Sequence, residues 1–132
     1  MIIGIGTDIV DIRRIEKALN KYSKRFEDKC FTINEQKKAN DKPSDKKAAF
    51  YAKRFAAKEA CVKALGTGFI ENIFLKDIEI TKNDFGQPYL NLTGGALEAL
   101  NKVIPDNMKY SAHLSLTDDY PYANAFVIIE AL

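Results

Sequence analysis

The chain has a single histidine, His113, and two cysteines, Cys30 and Cys61, with no C-x-x-C spacing. The ligand sets of structural zinc and iron–sulfur sites are therefore missing, so any metal here is expected to be a hard cation held by oxygen. No stretch approaches the roughly 20 apolar residues that a membrane-spanning helix requires. The N-terminal apolar run lacks a basic flank and is broken by Asp8, which argues against a secretion signal. A cytoplasmic protein with reduced thiols and no membrane partner is expected. Charge of one sign is also scarce: 20 basic residues against 18 acidic leave a net of +2. Nucleic acid is thus an unpromising partner, and electrostatic recognition has to be local. Internal repeats, low-complexity tracts and linkers are missing too. The 132 residues suit one domain, 1–132, which at this length buries about two thirds of its unfolded surface.

What stands out is the run Arg54-Phe55-Ala56-Ala57-Lys58-Glu59-Ala60-Cys61-Val62-Lys63-Ala64-Leu65-Gly66, which predicts an amphipathic helix with charge on its apolar face. Phe55, Glu59, Val62 and Lys63 share a face at helical spacing. An ordinary Glu59 to Lys63 pair at the helix margin would account for this, and so would a carboxylate placed to hold a cation. Gly66 reads as the C-cap, although a glycine there also lets backbone approach a ligand.

The N-terminal residues Met1 to Val10 read as a strand, about Ile2 to Thr7, running into a helix from about Ile9 to Tyr22. Ile2, Gly4, Gly6 and Asp8 lie on one strand face, and two mid-strand glycines imply that something comes close to the backbone. Asp8, with Asp11 three residues on, fits a helix N-cap, a role compatible with metal binding. In the helix, Ile12, Ile15, Leu19 and Tyr22 have core spacing. Arg14, Lys17, Lys21 and Lys24 form a basic stripe opposite, joined by Arg25; a solvated face and a docking face for an acidic partner both fit it.

Thr32 with Glu35 forms a capping box for a short helix fading near Asn40 to Pro43, and Ser44 or Asp45 is the expected cap of the long helix to Leu65. The segment Asn72 to Leu92 reads as a hairpin turning at Asn83-Asp84-Phe85-Gly86, and a short helix follows from Gly94 or Gly95 to about Asn101. A second hairpin pairs Tyr110 to Thr117 with Tyr122 to Glu130, with Ser111, His113, Ser115 and Thr117 as a polar row on one face. The expected class is α+β: a mainly antiparallel sheet with packed helices.

Six segments resemble one family. They are Ile5-Gly6-Thr7-Asp8-Ile9-Val10 with the Arg54 to Gly68 run, Phe31-Thr32-Ile33-Asn34-Glu35, Gly86-Gln87-Pro88-Tyr89, His113-Leu114-Ser115-Leu116-Thr117-Asp118, and Ala125 to Glu130. The family is the small bacterial holo-acyl-carrier-protein synthases, which are 4′-phosphopantetheinyl transferases. The resemblance implies their fold and their reaction: transfer of the 4′-phosphopantetheine arm of coenzyme A to a serine of apo-acyl carrier protein, serving fatty acid biosynthesis. Magnesium is implied on Asp8 and Glu59. Lys63 is implied near the phosphates, either neutralising charge or taking the serine proton, with a water or hydroxide as the other candidate base. Arg54, His113, Gly66, Gly86 and Pro88 are implied contacts of coenzyme A, while Gln87 stands where a lysine is often found. Arg14, Lys17, Lys21, Lys24 and Arg25 would meet the acidic carrier protein. A homotrimer with shared sites is implied as well. A non-catalytic carrier-docking module of the same fold is the alternative, and retention of Asp8, Glu59 and Lys63 argues against it.

Overall fold

The computed structural model describes residues 1–70 and 72–132. In chain order its elements are β1 (Ile2–Asp11), α1 (Ile12–Tyr22), α2 (Lys24–Cys30), α3 (Ile33–Asn40), α4 (Lys47–Leu65), β2 (Ile78–Lys82), β3 (Pro88–Leu92), α5 (Gly94–Val103), β4 (Tyr110–Asp119) and β5 (Tyr122–Ala131). Short 3-10 turns, Ser44–Lys46 and Leu75–Asp77, precede α4 and β2. A three-stranded sheet of order β1-β5-β4 and a β2-β3 hairpin are both antiparallel. The α+β expectation therefore holds.

The long helix α4 lies across the inner face of the three-stranded sheet and is enclosed over most of its circumference, with Tyr51, Ala52, Ala56, Ala57, Ala60 and Cys61 fully shielded from solvent. The expected amphipathic helix is thus a central one, buried over most of its surface because other elements cover its remaining faces. Its closeness to β1 depends on the two glycines. A Cβ on Gly4 would sit 1.8 Å from the Ala64 carbonyl oxygen, and one on Gly6 would sit 1.8 Å from that of Ala60. The group that approaches the strand backbone is therefore α4 itself, running over a track that only glycine leaves open.

Several expected boundaries move. β1 continues past Thr7 to Asp11 because its partner strand continues: Asp8 faces Ala125 and Asp11 faces Tyr122 in register. The β-branched Ile9 and Val10 suit that extension. Asp8 is consequently a strand residue, and the cap of α1 is Asp11, whose carboxylate accepts from the Arg13 backbone N–H at 3.0 Å. Tyr22, expected in the core, is 48% exposed, because the chain turns at Ser23 with φ 49° and a separate helix, α2, begins. Thr32 and Glu35 form the predicted capping box of α3. Neither Ser44 nor Asp45 caps α4; its N-cap is Lys46, which makes no side-chain capping bond because the 3-10 turn feeds directly into the helix. Gly66 is the C-cap as read, left-handed at φ 77°. The first hairpin begins at Ile78, and Asn72 lies outside it.

Candidate active site

The last inward-facing turn of β1 and the C-terminal half of α4 bring Asp8, Glu59 and Lys63 together. Asp8 is held on the strand by its neighbours: Asn124 on β5 donates to the Asp8 carbonyl at 2.8 Å. Phe55, Glu59 and Lys63 follow at i, i+4 and i+8 on α4, so they project along one side toward the end of β1. Lys63 does not form the local pair with Glu59. Its ammonium donates to Asp8 Oδ1 at 3.0 Å and to the Thr7 carbonyl at 2.9 Å, and Glu59 forms no ion pair among the described residues.

Asp8 and Glu59 share a cleft of about 320 Å³ whose apolar wall includes Ile15, Phe26 and Phe55, with Arg14 at its side. Burial pushes the Glu59 carboxyl above its usual value, the charge of Asp8 pushes it further, and Lys63 only partly opposes them. Two half-shielded carboxylates that repel one another in a small cleft are a receptor for a cation. Among the described residues no group of three or more His, Cys, Asp or Glu could hold a metal, so the protein offers two oxygen donors. That set fits magnesium, which takes one or two carboxylates and fills its remaining positions with water and phosphate oxygens. It does not fit a structural zinc site.

Arg54 lies elsewhere on α4, against a second cleft of about 540 Å³ beside the β2-β3 turn. Its guanidinium carbon lies 3.5 Å from the centroid of the Phe50 ring, and its residue is only 4% exposed. Burial pulls its pKa down to about 10. Arg54 Nε has no hydrogen-bond partner among the described residues. Lys37, Lys38, Lys42 and Lys82 line the same cleft with it, and burial together with Arg54, Lys53 and Lys42 lowers the pKa of Lys82. An accumulation of cations around a buried, incompletely bonded guanidinium calls for an anion with several oxygens. The four lysines were not singled out in the sequence, where only the dense run Lys37-Lys38 to Lys42 pointed to them.

The other expected contacts are dispersed. Gly86, with φ 80°, shapes the turn whose Asn83 and Asp84 line the Arg54 cleft, and Pro88 opens β3. Gln87 Oε1 accepts from the Tyr89 hydroxyl at 3.1 Å, so the side chain at this turn is engaged locally. Nothing lies within 4 Å of where a Gly66 Cβ would stand, and left-handed geometry alone accounts for that glycine. His113 is exposed on the outer face of the sheet, 3.2 Å from Glu130, whereas α4 covers the inner face. One protomer thus keeps His113 apart from Asp8, Glu59 and Arg54.

The basic stripe is shorter than read. Arg14, Lys17 and Lys21 are exposed on α1, but the turn at Ser23 puts Lys24 on α2, where it bridges to Asp28 at 3.0 Å and bonds Gln36. Lys24 leaves the stripe because its neighbours neutralise it. Arg25 instead joins Tyr22, Phe26 and Lys29 around a shallow basic and aromatic cleft. The Phe26 side chain borders both this cleft and the carboxylate cleft, a role its isolated place in the sequence did not signal.

The sequence and fold of the chain resemble those of known proteins. Residues 4–124 match the model of the 4′-phosphopantetheinyl transferase superfamily. The chain is 52% identical over 132 residues to a holo-(acyl-carrier-protein) synthase of Brucella ovis, covering all of this chain and 97% of that one. Its fold superposes with a TM-score of 0.83 on the holo-(acyl-carrier-protein) synthase of Neisseria meningitidis, at 32% identity over 98% of this chain and 99% of that one. The Bacillus anthracis synthase, solved in complex with CoA (3′,5′-ADP), gives 0.82 at 34% identity over 100% and 99% of the two chains. The family's matched span takes in most of β1, all of α4 and all of β4, which together carry both carboxylates, Lys63, Arg54 and His113, and this chain belongs to the 4′-phosphopantetheinyl transferase superfamily.

Proposed function

We propose that this protein transfers the 4′-phosphopantetheine group of coenzyme A to a serine of apo-acyl carrier protein, in a magnesium-dependent reaction that serves fatty acid biosynthesis in the cytoplasm. The observation that carries the reading is the convergence of Asp8 and Glu59 in one cleft with Lys63 bonded to Asp8. The coenzyme A complex of the Bacillus anthracis relative supports the donor. In the reaction the serine oxygen bonds to the β-phosphorus of coenzyme A, the bond from that phosphorus to the bridging oxygen breaks, adenosine 3′,5′-bisphosphate departs and the serine proton is lost.

Charge accumulates on phosphoryl oxygens, so positioning and cations dominate over covalent participation by the protein. Asp8 and Glu59 would hold the magnesium, whose chemistry there is to polarise the diphosphate and neutralise its charge. Lys63 holds an ammonium bonded to a carboxylate and a carbonyl, a geometry that supports neutralising phosphate charge rather than taking the serine proton. Arg54 and its neighbouring lysines would receive the 3′-phosphate. Arg14 at the carboxylate cleft, Lys17 and Lys21 further along α1, and Arg25 at the neighbouring cleft would meet an acidic carrier protein, and Phe26 and Phe55 would offer it apolar contact.

The 1–132 domain would work as a homotrimer. Ile5 is 56% exposed and Ile9 64% on the outer sheet face, with Phe126 beside them, an apolar surface of the kind that marks self-association. His113 shares that face, so it reaches a ligand at α4 only across a subunit boundary. Light scattering of Ile5→Glu tests this: the variant should fall to monomer and lose activity, and an intact active trimer would remove the face from the interface.

Mass spectrometry of apo-acyl carrier protein incubated with coenzyme A, magnesium and this protein tests the reaction. The carrier should gain the phosphopantetheine mass; no gain with folded protein refutes the reading.

A further inference from the structure

The contact between Lys63 and Asp8 sets a second cation on one of the two carboxylates that would hold the metal. Asp8 side-chain exposure is 18% and that of Lys63 is 55%, so a shielded acceptor is met by a solvent-exposed donor on a long stem with several rotatable bonds. Among the described residues two bonds hold the ammonium, one to Asp8 Oδ1 and one to the Thr7 carbonyl. Glu59, the other carboxylate, takes no part in either. A divalent ion entering between Asp8 and Glu59 would meet this ammonium at contact range, where like charges in a partly shielded cleft repel strongly.

We infer that Lys63 acts as a stand-in cation on Asp8, which the metal must displace, and that the diphosphate of coenzyme A draws the ammonium away, so that metal and coenzyme A bind as a coupled pair. The inference rests on the proposed metal role of Asp8 and Glu59. It adds a determinant of binding order: protein alone takes the metal weakly, and the arriving diphosphate both supplies oxygen ligands and frees Asp8. Coupling of this sort is reciprocal, so metal tightens coenzyme A by the same factor as coenzyme A tightens metal. The design keeps an unproductive metal out of the cleft until the substrate that needs it is present.

The test is titration of the protein with manganese, followed by the loss of the free-ion electron paramagnetic resonance signal, with and without saturating coenzyme A. Lys63→Met keeps the stem and removes the charge; it should bind manganese alone about tenfold or more tightly than the unaltered protein, within the usual range of coupling between sites. Lys63→Arg retains a cation at the end of a stem of similar reach and should stay as weak as the unaltered protein. Coenzyme A should tighten manganese in the unaltered protein by a larger factor than in Lys63→Met. Circular dichroism establishes that each variant is folded. Equal or weaker manganese binding by folded Lys63→Met overturns the inference while leaving the metal pair intact. Manganese binding that survives both Asp8→Asn and Glu59→Gln overturns the metal pair, and the inference with it.

Discussion

One constraint on α4 is a buried ion pair away from the cleft. Lys58 and Glu35 have side-chain exposures of 0% and 1% and meet at 2.7 Å. Glu35 Oε1 also accepts from the Thr32 backbone N–H at 3.0 Å, and its Oε2 accepts from the Ile80 N–H at 3.1 Å. Lys58 gives a second bond to the Leu75 carbonyl at 3.0 Å. One buried pair thus ties α3, α4 and the entry to β2 together, one residue before Glu59. Burial lowers the pKa of Lys58 while Glu35 opposes the shift, so the pair is a balance of desolvation against attraction. Removing only the ammonium, by Lys58→Met, leaves a carboxylate buried with two neutral donors, a loss of about 3–5 kcal/mol. For a domain of this length that lowers the melting temperature by about 10–18 °C. Lys58→Met/Glu35→Gln leaves neither charge of the pair and should regain at least half of the loss, falling short of full recovery because one of the two backbone donors loses its acceptor. Urea denaturation followed by circular dichroism measures both variants, with an unchanged slope needed for the comparison. A cost below about 1 kcal/mol for Lys58→Met, or a double variant no more stable than the single one, would refute this account of the pair.

Gly6→Ala should cost about 3 kcal/mol or more, because its Cβ meets backbone rather than a movable side chain, whereas Gly66→Ala, strained only by its positive φ, should cost about 1–2 kcal/mol; thermal melts separate the two, and equal losses would show that α4 can retreat from β1. Arg54→Met should lower kcat/KM for coenzyme A by about 10- to 100-fold and barely change it for dephospho-coenzyme A, and an equal loss on both donors would detach Arg54 from the 3′-phosphate. The carboxyl of Asp11 is held down to about 2 by hydrogen bonding and charge from Arg13. Because its folded value lies below the ordinary aspartate value of 3.8, the stabilisation it brings is complete above that ordinary value and is lost as the pH falls toward about 2. Asp11→Asn retains a competent cap and should flatten that part of the acid-stability curve; an unchanged curve would mean that other carboxyls set it.

The limits of sequence reading are visible at Asp8 and Asp11. Both aspartates have cap-like spacing, and only the pairing of β1 with a strand more than a hundred residues away decides that Asp8 belongs to the sheet and Asp11 to the helix. Local propensity cannot register such a partner. The capping box of Thr32 and Glu35 was legible because its partners are three residues apart. The same Glu35 carboxylate as the buried partner of Lys58 was not, since that contact spans 23 residues. For the same reason Arg54 was readable as a cation but not as a buried one.

The glycines show the other side of the limit. Gly4 and Gly6 announced a close approach, and the chain held the answer in Ala60 and Ala64, small residues one turn apart on α4. Joining the two stretches required knowing that strand and helix cross. That crossing also explains why Glu59 and Lys63 sit among so many alanines: small residues let α4 settle onto β1 until residues four apart on the helix reach the end of the strand. The same close packing places the Lys63 ammonium on Asp8 instead of Glu59. A charge that violates the apolar pattern of a central helix is thereby satisfied across the sheet edge, and the conflict between local pattern and global fold falls where the chemistry is proposed.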